Sequence, residues 1–171
     1  RGVVELLKTI MPISFGQDYV FWKEDFEDFR KLCGKSQWLP FYKRAQLWPL
    51  VYQGRALNMN GVLPLLNDPQ AIGPIADNAV PNALRFLKIL EYTDELAKKI
   101  DTRQEISSES KEELELRAAT VYAVANMLES CNKTRQLNRK PPITMVELDY
   151  FLWQLGKQVD TPKHCTITTN Y

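Results

Sequence analysis

Three places in the sequence carry side chains whose types and spacing suit chemistry. Asp149 lies in Leu148-Asp149-Tyr150-Phe151-Leu152-Trp153. On a helical wheel of about 100° per residue, Met145, Leu148, Leu152 and Leu155 form one apolar stripe and Asp149 falls on its border. A carboxylate there has to be paired, hydrogen-bonded or protonated. It is either a satisfied structural residue or an acid with a tuned pKa in a pocket. Asp77, in Ala76-Asp77-Asn78-Ala79-Val80-Pro81, precedes a Pro-initiated helix. It either caps that helix or turns into a cleft. The third place is Tyr42-Lys43-Arg44 with Gln46 and Trp48. This basic pair among aromatics is either the solvated edge of an amphipathic helix or a contact for an anion or a nucleobase. His164 is the only histidine and sits in a charged, Pro-adjacent segment, which reads as a surface or capping residue. Neither a Gly-rich phosphate loop nor a GxSxG elbow is present.

The elements that must position these residues are mostly helices. Val3 to Met11 reads as a helix stopped by Pro12, Ile13 to Trp22 as irregular or short strand, and Glu24 to Cys33 as a weak helix capped by Gly34. Leu39-Pro40 is expected to open a helix that Pro49 kinks or ends. Residues 54–75, rich in Gly and Pro, read as loops. A helix is expected over Asn82 to Tyr92, with Leu84, Leu87 and Leu90 on one face, and another over Asp94 to Ile100, capped by Thr93. Ser110-Lys111-Glu112-Glu113 is a capping box that opens a helix to about Cys131, with Leu114, Ala118, Val121, Ala125 and Leu128 as its stripe. Thr144-Met145-Val146-Glu147 is a second capping box, and its helix is expected to stop at Gly156 as a left-handed cap. The tail from Thr166 to Tyr171 is β-branched and reads as extended. The fold class is mainly α, with six or so helices and little strand.

Composition narrows the class. The chain has 171 residues, 44% hydrophobic and 25% charged, which fits one globular domain or a C-terminal portion of a larger one. The opening Arg1-Gly2 runs straight into Val3-Val4-Glu5-Leu6-Leu7, which reads as mid-helix and suggests a piece of something longer. A net charge of +1 disfavours a duplex-binding domain. The three scattered cysteines, Cys33, Cys131 and Cys165, form neither a disulfide framework nor a zinc site and read as buried, inert thiols in a reducing compartment. No apolar run is long enough to span a membrane, and no signal-peptide pattern opens the chain, so a cytoplasmic location is expected.

Beyond these generic features, the motifs form an ordered set. Phe41-Tyr42-Lys43-Arg44-Ala45-Gln46, Ala76-Asp77 with Pro81-Asn82, the stretch Leu87 to Ile100, Glu113 to Val121, Leu148 to Trp153, and Pro162-Lys163-His164 through Tyr171 resemble, in order, the motifs of the queuosine salvage family. The likeness covers residues 39–171, while 1–38 match loosely. Asn78 stands where the family usually has Tyr, Asn82 for Gln, Cys165 for Arg and Asn170 for the first of two closing tyrosines. The resemblance implies a helical fold similar to helix-hairpin-helix DNA glycosylases and an enzyme that hydrolyses the N-glycosidic bond of queuosine 5′-phosphate, releasing queuine. It implies no metal and no cofactor. It makes Asp149, Asp77 and Lys43 the catalytic group, and places Tyr42, Arg44, Asn78, Arg117, Trp153 and His164 around a small-molecule substrate, queuosine 5′-phosphate or queuosine. Trp48 adds a further stacking surface. Which aspartate reacts stays open. An N-terminal half of the family pattern is absent, so the alternative is a half-site fragment that binds a nucleobase or nucleotide without turning it over.

Overall fold

The computed structural model describes residues 2–11, 19–21, 38–168 and 170. The expected helix over Glu24 to Cys33 with its Gly34 cap, the thiol Cys33, and Thr169 and Tyr171 of the tail lie outside the described residues.

The described chain is mainly helical. Its elements are α1 (Gly2–Ile10), β1 (Tyr19–Phe21), β2 (Trp38–Pro40), α2 (Lys43–Asn58), a 3-10 turn (Pro69–Ala71), α3 (Val80–Phe86), α4 (Asp94–Asp101), α5 (Lys111–Leu137) and α6 (Met145–Gln158). β1 and β2 pair antiparallel with Val20 opposite Leu39. Leu39-Pro40 therefore closes a short strand and does not open a helix, a correction to the sequence reading. The helix starts at Lys43 because Tyr42 turns the chain through a left-handed conformation (φ 47°). α2 also continues through Pro49 to Asn58.

α3 packs against both α6 and α5, and α2 against α6. Val80, Ala83 and Leu84 of α3, Val124 of α5, and Met145, Leu148 and Leu152 of α6 form the main core. Each Val, Leu or Met side chain among them contributes roughly 1.5–3 kcal/mol by leaving water. Leu50, Ile72, Ile75 and Val146 make a second cluster that ties α2 and the loop before α3 to α6. Phe41, Ala76 and Leu114 make a third.

Helix ends follow local chemistry where caps exist. Thr144 Oγ1 accepts from Glu147 N–H while Glu147 Oε2 accepts from Thr144 N–H, the reciprocal capping box expected. Ser110 accepts from Glu113 N–H, but Glu113 reaches back to the N–H of Glu109. Thr93 caps α4 as expected. Three boundaries differ from the sequence reading. α3 ends at Phe86, because Leu87 through Lys88 (φ 60°) turn out of the helix, leaving Leu87 exposed. α5 outruns its apolar stripe to Leu137, helped by the Glu129–Lys133 pair and by Arg135 at its negative dipole end.

α6 passes through Gly156 to Gln158, so Gly156 is no left-handed cap. A Cβ at Gly156 would lie 1.9 Å from the carbonyl oxygen of Ala79. Glycine is there so that α6 can press against the backbone that leads from Asp77 into α3. Asn82 stitches the same seam: its amide donates to Gly156 O (3.1 Å) and Thr161 O (3.2 Å) and accepts from Thr161 Oγ1 (2.8 Å).

Candidate active site

The seam between α2, the loop before α3 and α6 holds two acids and a lysine. Asp77, Asp149 and Lys43 are buried, at 8%, 4% and 8% exposure. Asp77 Oδ1 accepts from the N–H groups of Ala79 and Val80, both at 2.9 Å. It therefore secures the turn that enters α3, as the capping alternative expects, and its carboxyl is buried there. Asp149 Oδ1 accepts from Ile75 N–H at 2.9 Å. Ile75 C=O in turn accepts from Asp77 N–H at 3.1 Å. One short loop thus binds one acid and carries the other.

These groups act on one another through a poorly solvated interior. Burial pushes the Asp149 carboxyl up to about 7, the Asp77 charge adds to that rise, and the Ile75 N–H and the Lys43 ammonium oppose it. Asp77 is also raised, chiefly by burial, while its two backbone N–H bonds and the charges of Lys43 and Lys163 pull it back. Lys163 carried no signal of its own in the sequence, because only the fold brings the C-terminal segment near Asp77. Two carboxyl groups with differing tendencies to ionise, beside one ammonium, can divide acid and base work between them.

The other predicted side chains fall into separate groups. Tyr42 and Arg44 flank Lys43, both half-buried. The Lys8 ammonium lies 3.9 Å from the centre of the Tyr42 ring. Asn78, next to Asp77, is half-buried. Trp153 lies one turn beyond Asp149 on α6, stacked on Tyr150 and covered by Lys157 4.3 Å from its ring centre. Trp48 is 52% exposed and stacks on Tyr52 along the outer side of α2, so it does not join the buried acids.

Arg117 and His164 belong to a second buried group. Arg117 stacks over Phe41 at 4.0 Å and pairs with Glu113 at 3.6 Å. His164 is buried (4% exposed), which corrects its reading as a surface or capping residue. The tail is held by a bridge between Glu105 and Cys165 and by the Ile106 N–H to Cys165 C=O bond, which carries His164 inward. Cys165 itself is exposed and Cys131 half-buried, so the expectation of buried thiols fails for both. Burial, together with the Arg117 charge, holds His164 down to about 4.

That shift has a measurable sign. An unfolded chain takes up the histidine proton below its ordinary value of 6.5, whereas the folded one resists until about 4. Stability therefore falls as pH drops through that window, by roughly 2–3 kcal/mol from this residue. His164→Asn should flatten the acid side of the stability profile in urea melts, and an unchanged slope would contradict the assignment.

Sequence reasoning named Gln46 but gave it no role, read Gly73 only as one of the glycines of a loop, and passed over the N–H of Ile75. Hydrogen bonds between segments far apart in sequence leave no local pattern. Among the described residues, no cluster of three or more His, Cys, Asp or Glu is placed to hold a metal ion. Nor is any helix among them long and apolar enough to cross a membrane.

Comparison with known proteins bears on what such a site serves. Residues 21–171 match the family model of the queuosine salvage protein. A protein of Dictyostelium discoideum is 36% identical over 159 residues, covering 88% of this chain and 44% of the relative. One from Sphaerobacter thermophilus is 30% identical over 150 residues (85% and 44%), and one from Mus musculus 28% over 145 residues (79% and 40%). All three are named queuosine 5′-phosphate N-glycosylase/hydrolase. The chain spans less than half the length of these curated relatives. With most of its length matched, and with both aspartates and the lysine inside the matched region, the chain belongs to the queuosine salvage protein family.

Proposed function

We propose that this chain carries the reacting groups of an N-glycosyl hydrolase that cleaves queuosine 5′-phosphate and releases queuine. The observation that carries this reading is the buried, mutually interacting set of Asp77, Asp149 and Lys43. Breaking an N-ribosyl bond builds positive charge at C1′ and negative charge on the departing base. Asp77, supported by two N–H groups and two cations, is the ionised partner: it stabilises C1′ and accepts a proton from the attacking water. Asp149, the acid that ionises only near neutrality, donates a proton to the leaving base. Water thereby supplies hydroxyl to C1′ and a proton to the protein, and the protein returns one proton to queuine, so the balance closes. Tyr42, Asn78 and Trp153 are assigned to the base and sugar, and Arg44, Arg117 and His164 to the phosphate side and its support. No protein cofactor takes part in this scheme.

The helical surround fits a scaffold of the helix-hairpin-helix DNA glycosylase kind, which superposition of an experimental structure tests. Because this chain spans less than half the length of these relatives, we assign completion of the base pocket to an additional N-terminal segment. The competing reading, a half-site that binds without turnover, draws on the same difference in length.

Both readings are tested by incubating queuosine 5′-phosphate with this chain alone and with the complete protein, and following free queuine. Release by the complete protein is expected, and no release by either sinks the hydrolase. In the complete protein kcat/KM should decline above about pH 7 as Asp149 ionises. Lys43→Met removes the charge that favours ionised Asp149, so it should move that alkaline limb to higher pH while lowering the maximum about 10²-fold. A limb that moves down or stays put argues against the pairing.

A further inference from the structure

The turn that presents Lys43 and the loop that carries Asp77 are joined by one side chain. The amide nitrogen of Gln46 donates to the carbonyl of Phe41 at 2.8 Å, immediately before the left-handed residue Tyr42. Its amide oxygen accepts from the N–H of Gly73 at 2.8 Å. Two residues beyond Gly73 is Ile75, whose N–H holds Asp149 and whose C=O holds the N–H of Asp77. One amide therefore grips the backbone two residues before Lys43 on one side and two residues before Ile75 on the other.

Gly73 is shaped for this grip. Its backbone is outside the left-handed region, so glycine is not required by the turn. A Cβ there would lie 2.8 Å from Gln46 Oε1, and its three nearest heavy atoms all belong to Gln46. The room left by the missing side chain is filled by the amide. The Tyr42 turn also needs holding, since a non-Gly residue at φ 47° is strained.

We propose that Gln46 is a positioning residue for the hydrolysis assigned above, holding the Lys43 turn in register with the Asp77 and Asp149 loop. The proposal rests on that functional reading. The role needs a side chain with a donor and an acceptor on one rigid planar group, which Met lacks entirely and Glu lacks on the donor side at neutral pH. Loss of the bridge frees the two backbones to drift, and reacting groups tolerate little drift.

Gln46→Met, Gly73→Ala and the double variant in the complete protein test this, with steady-state turnover of queuosine 5′-phosphate and hydrogen exchange at the Ile75 amide, read below the melting temperature. Each single change should lower kcat about 10- to 100-fold with KM altered less than about threefold. The double should be no worse than the poorer single, because both break the same bridge. The Ile75 amide should exchange faster in each. Singles whose kcat stays within about twofold of wild type, or effects that multiply in the double, overturn the proposal. A wild-type protein that releases no queuine overturns the functional reading instead. The bridge is then judged by exchange alone, and unchanged protection at Ile75 in Gln46→Met overturns it. Should Gln46→Met fail to fold, Gln46→Glu keeps an acceptor for the Gly73 N–H, loses the donor to the Phe41 carbonyl, and carries the same expected drop.

Discussion

Asn in place of Asp149 in the complete protein should, on the proposed hydrolase reading, lower turnover of queuosine 5′-phosphate by at least about 10²-fold, the scale of losing a proton-transfer group, and make the protein more stable above pH 7. The two effects have one cause. Asp149 is buried beside Asp77, and its carboxyl is pushed up to about 7 from an ordinary 3.8. In the folded state it holds its proton through a range in which the unfolded chain has released it. Stability therefore falls as pH rises from about 4 to about 7, and above that the folded state carries an ionised acid it solvates poorly. The replacement amide keeps an oxygen for the Ile75 N–H yet never ionises. The stability gap in its favour should open across that window and reach roughly 2–4 kcal/mol at pH 8. Urea melts at pH 5 and pH 8, paired with queuine release, read both effects. Full turnover, or lower stability than wild type at pH 8, would remove Asp149 from the role given to it. Asp77→Asn should lose turnover on a similar scale, without the same stability gain, because its oxygen also secures the entry to α3.

Gly156→Ala should be among the most damaging single substitutions in the chain, although it adds one methyl group in a helix where alanine is normally welcome. The added carbon would lie 1.9 Å from the Ala79 carbonyl oxygen and 2.6 Å from its carbon. Backbone cannot step aside as a flexible side chain does, so α6 must lift from α3. That movement breaks the Asn82 bonds to Gly156 and Thr161 and opens the main core at Val80 and Leu152. A loss of about 3 kcal/mol or more is expected, on the scale of severe overpacking. Because Ala79 follows Asp77 by two residues, turnover should fall with it. Denaturant melts decide the matter: a change within about 0.5 kcal/mol, typical of harmless surface positions, would show that the seam is looser than described.

How much of this was legible beforehand varies with the range of the interaction. The Thr144 and Thr93 caps were readable because a cap is a contact between residues three apart. The stripe of Met145, Leu148 and Leu152 was readable for the same reason, and so was the anomaly of an acid on its border. Boundaries set by long-range packing were misread. Gly156 looked like a helix stop and is a close-approach site, since only the arrival of Ala79 from far away in sequence gives it that duty. His164 looked like a surface residue and is buried, because the tail is pinned beside Ile106. The run of α5 past its stripe was hidden because charges at its end sustain it where burial does not.

By itself, then, the amino-acid order determined a mainly helical chain, its capped helices, and the three side chains worth suspecting, since propensity, capping and amphipathic spacing act between near neighbours. Only the tertiary structure decided that Asp77, Asp149 and Lys43 share one dry seam. It also decided that the acids are driven toward protonation and that Gln46 ties their two backbones together. Desolvation and charge coupling depend on distances between segments far apart in sequence, such as those carrying Lys43 and Asp149, and those distances exist only once the helices pack.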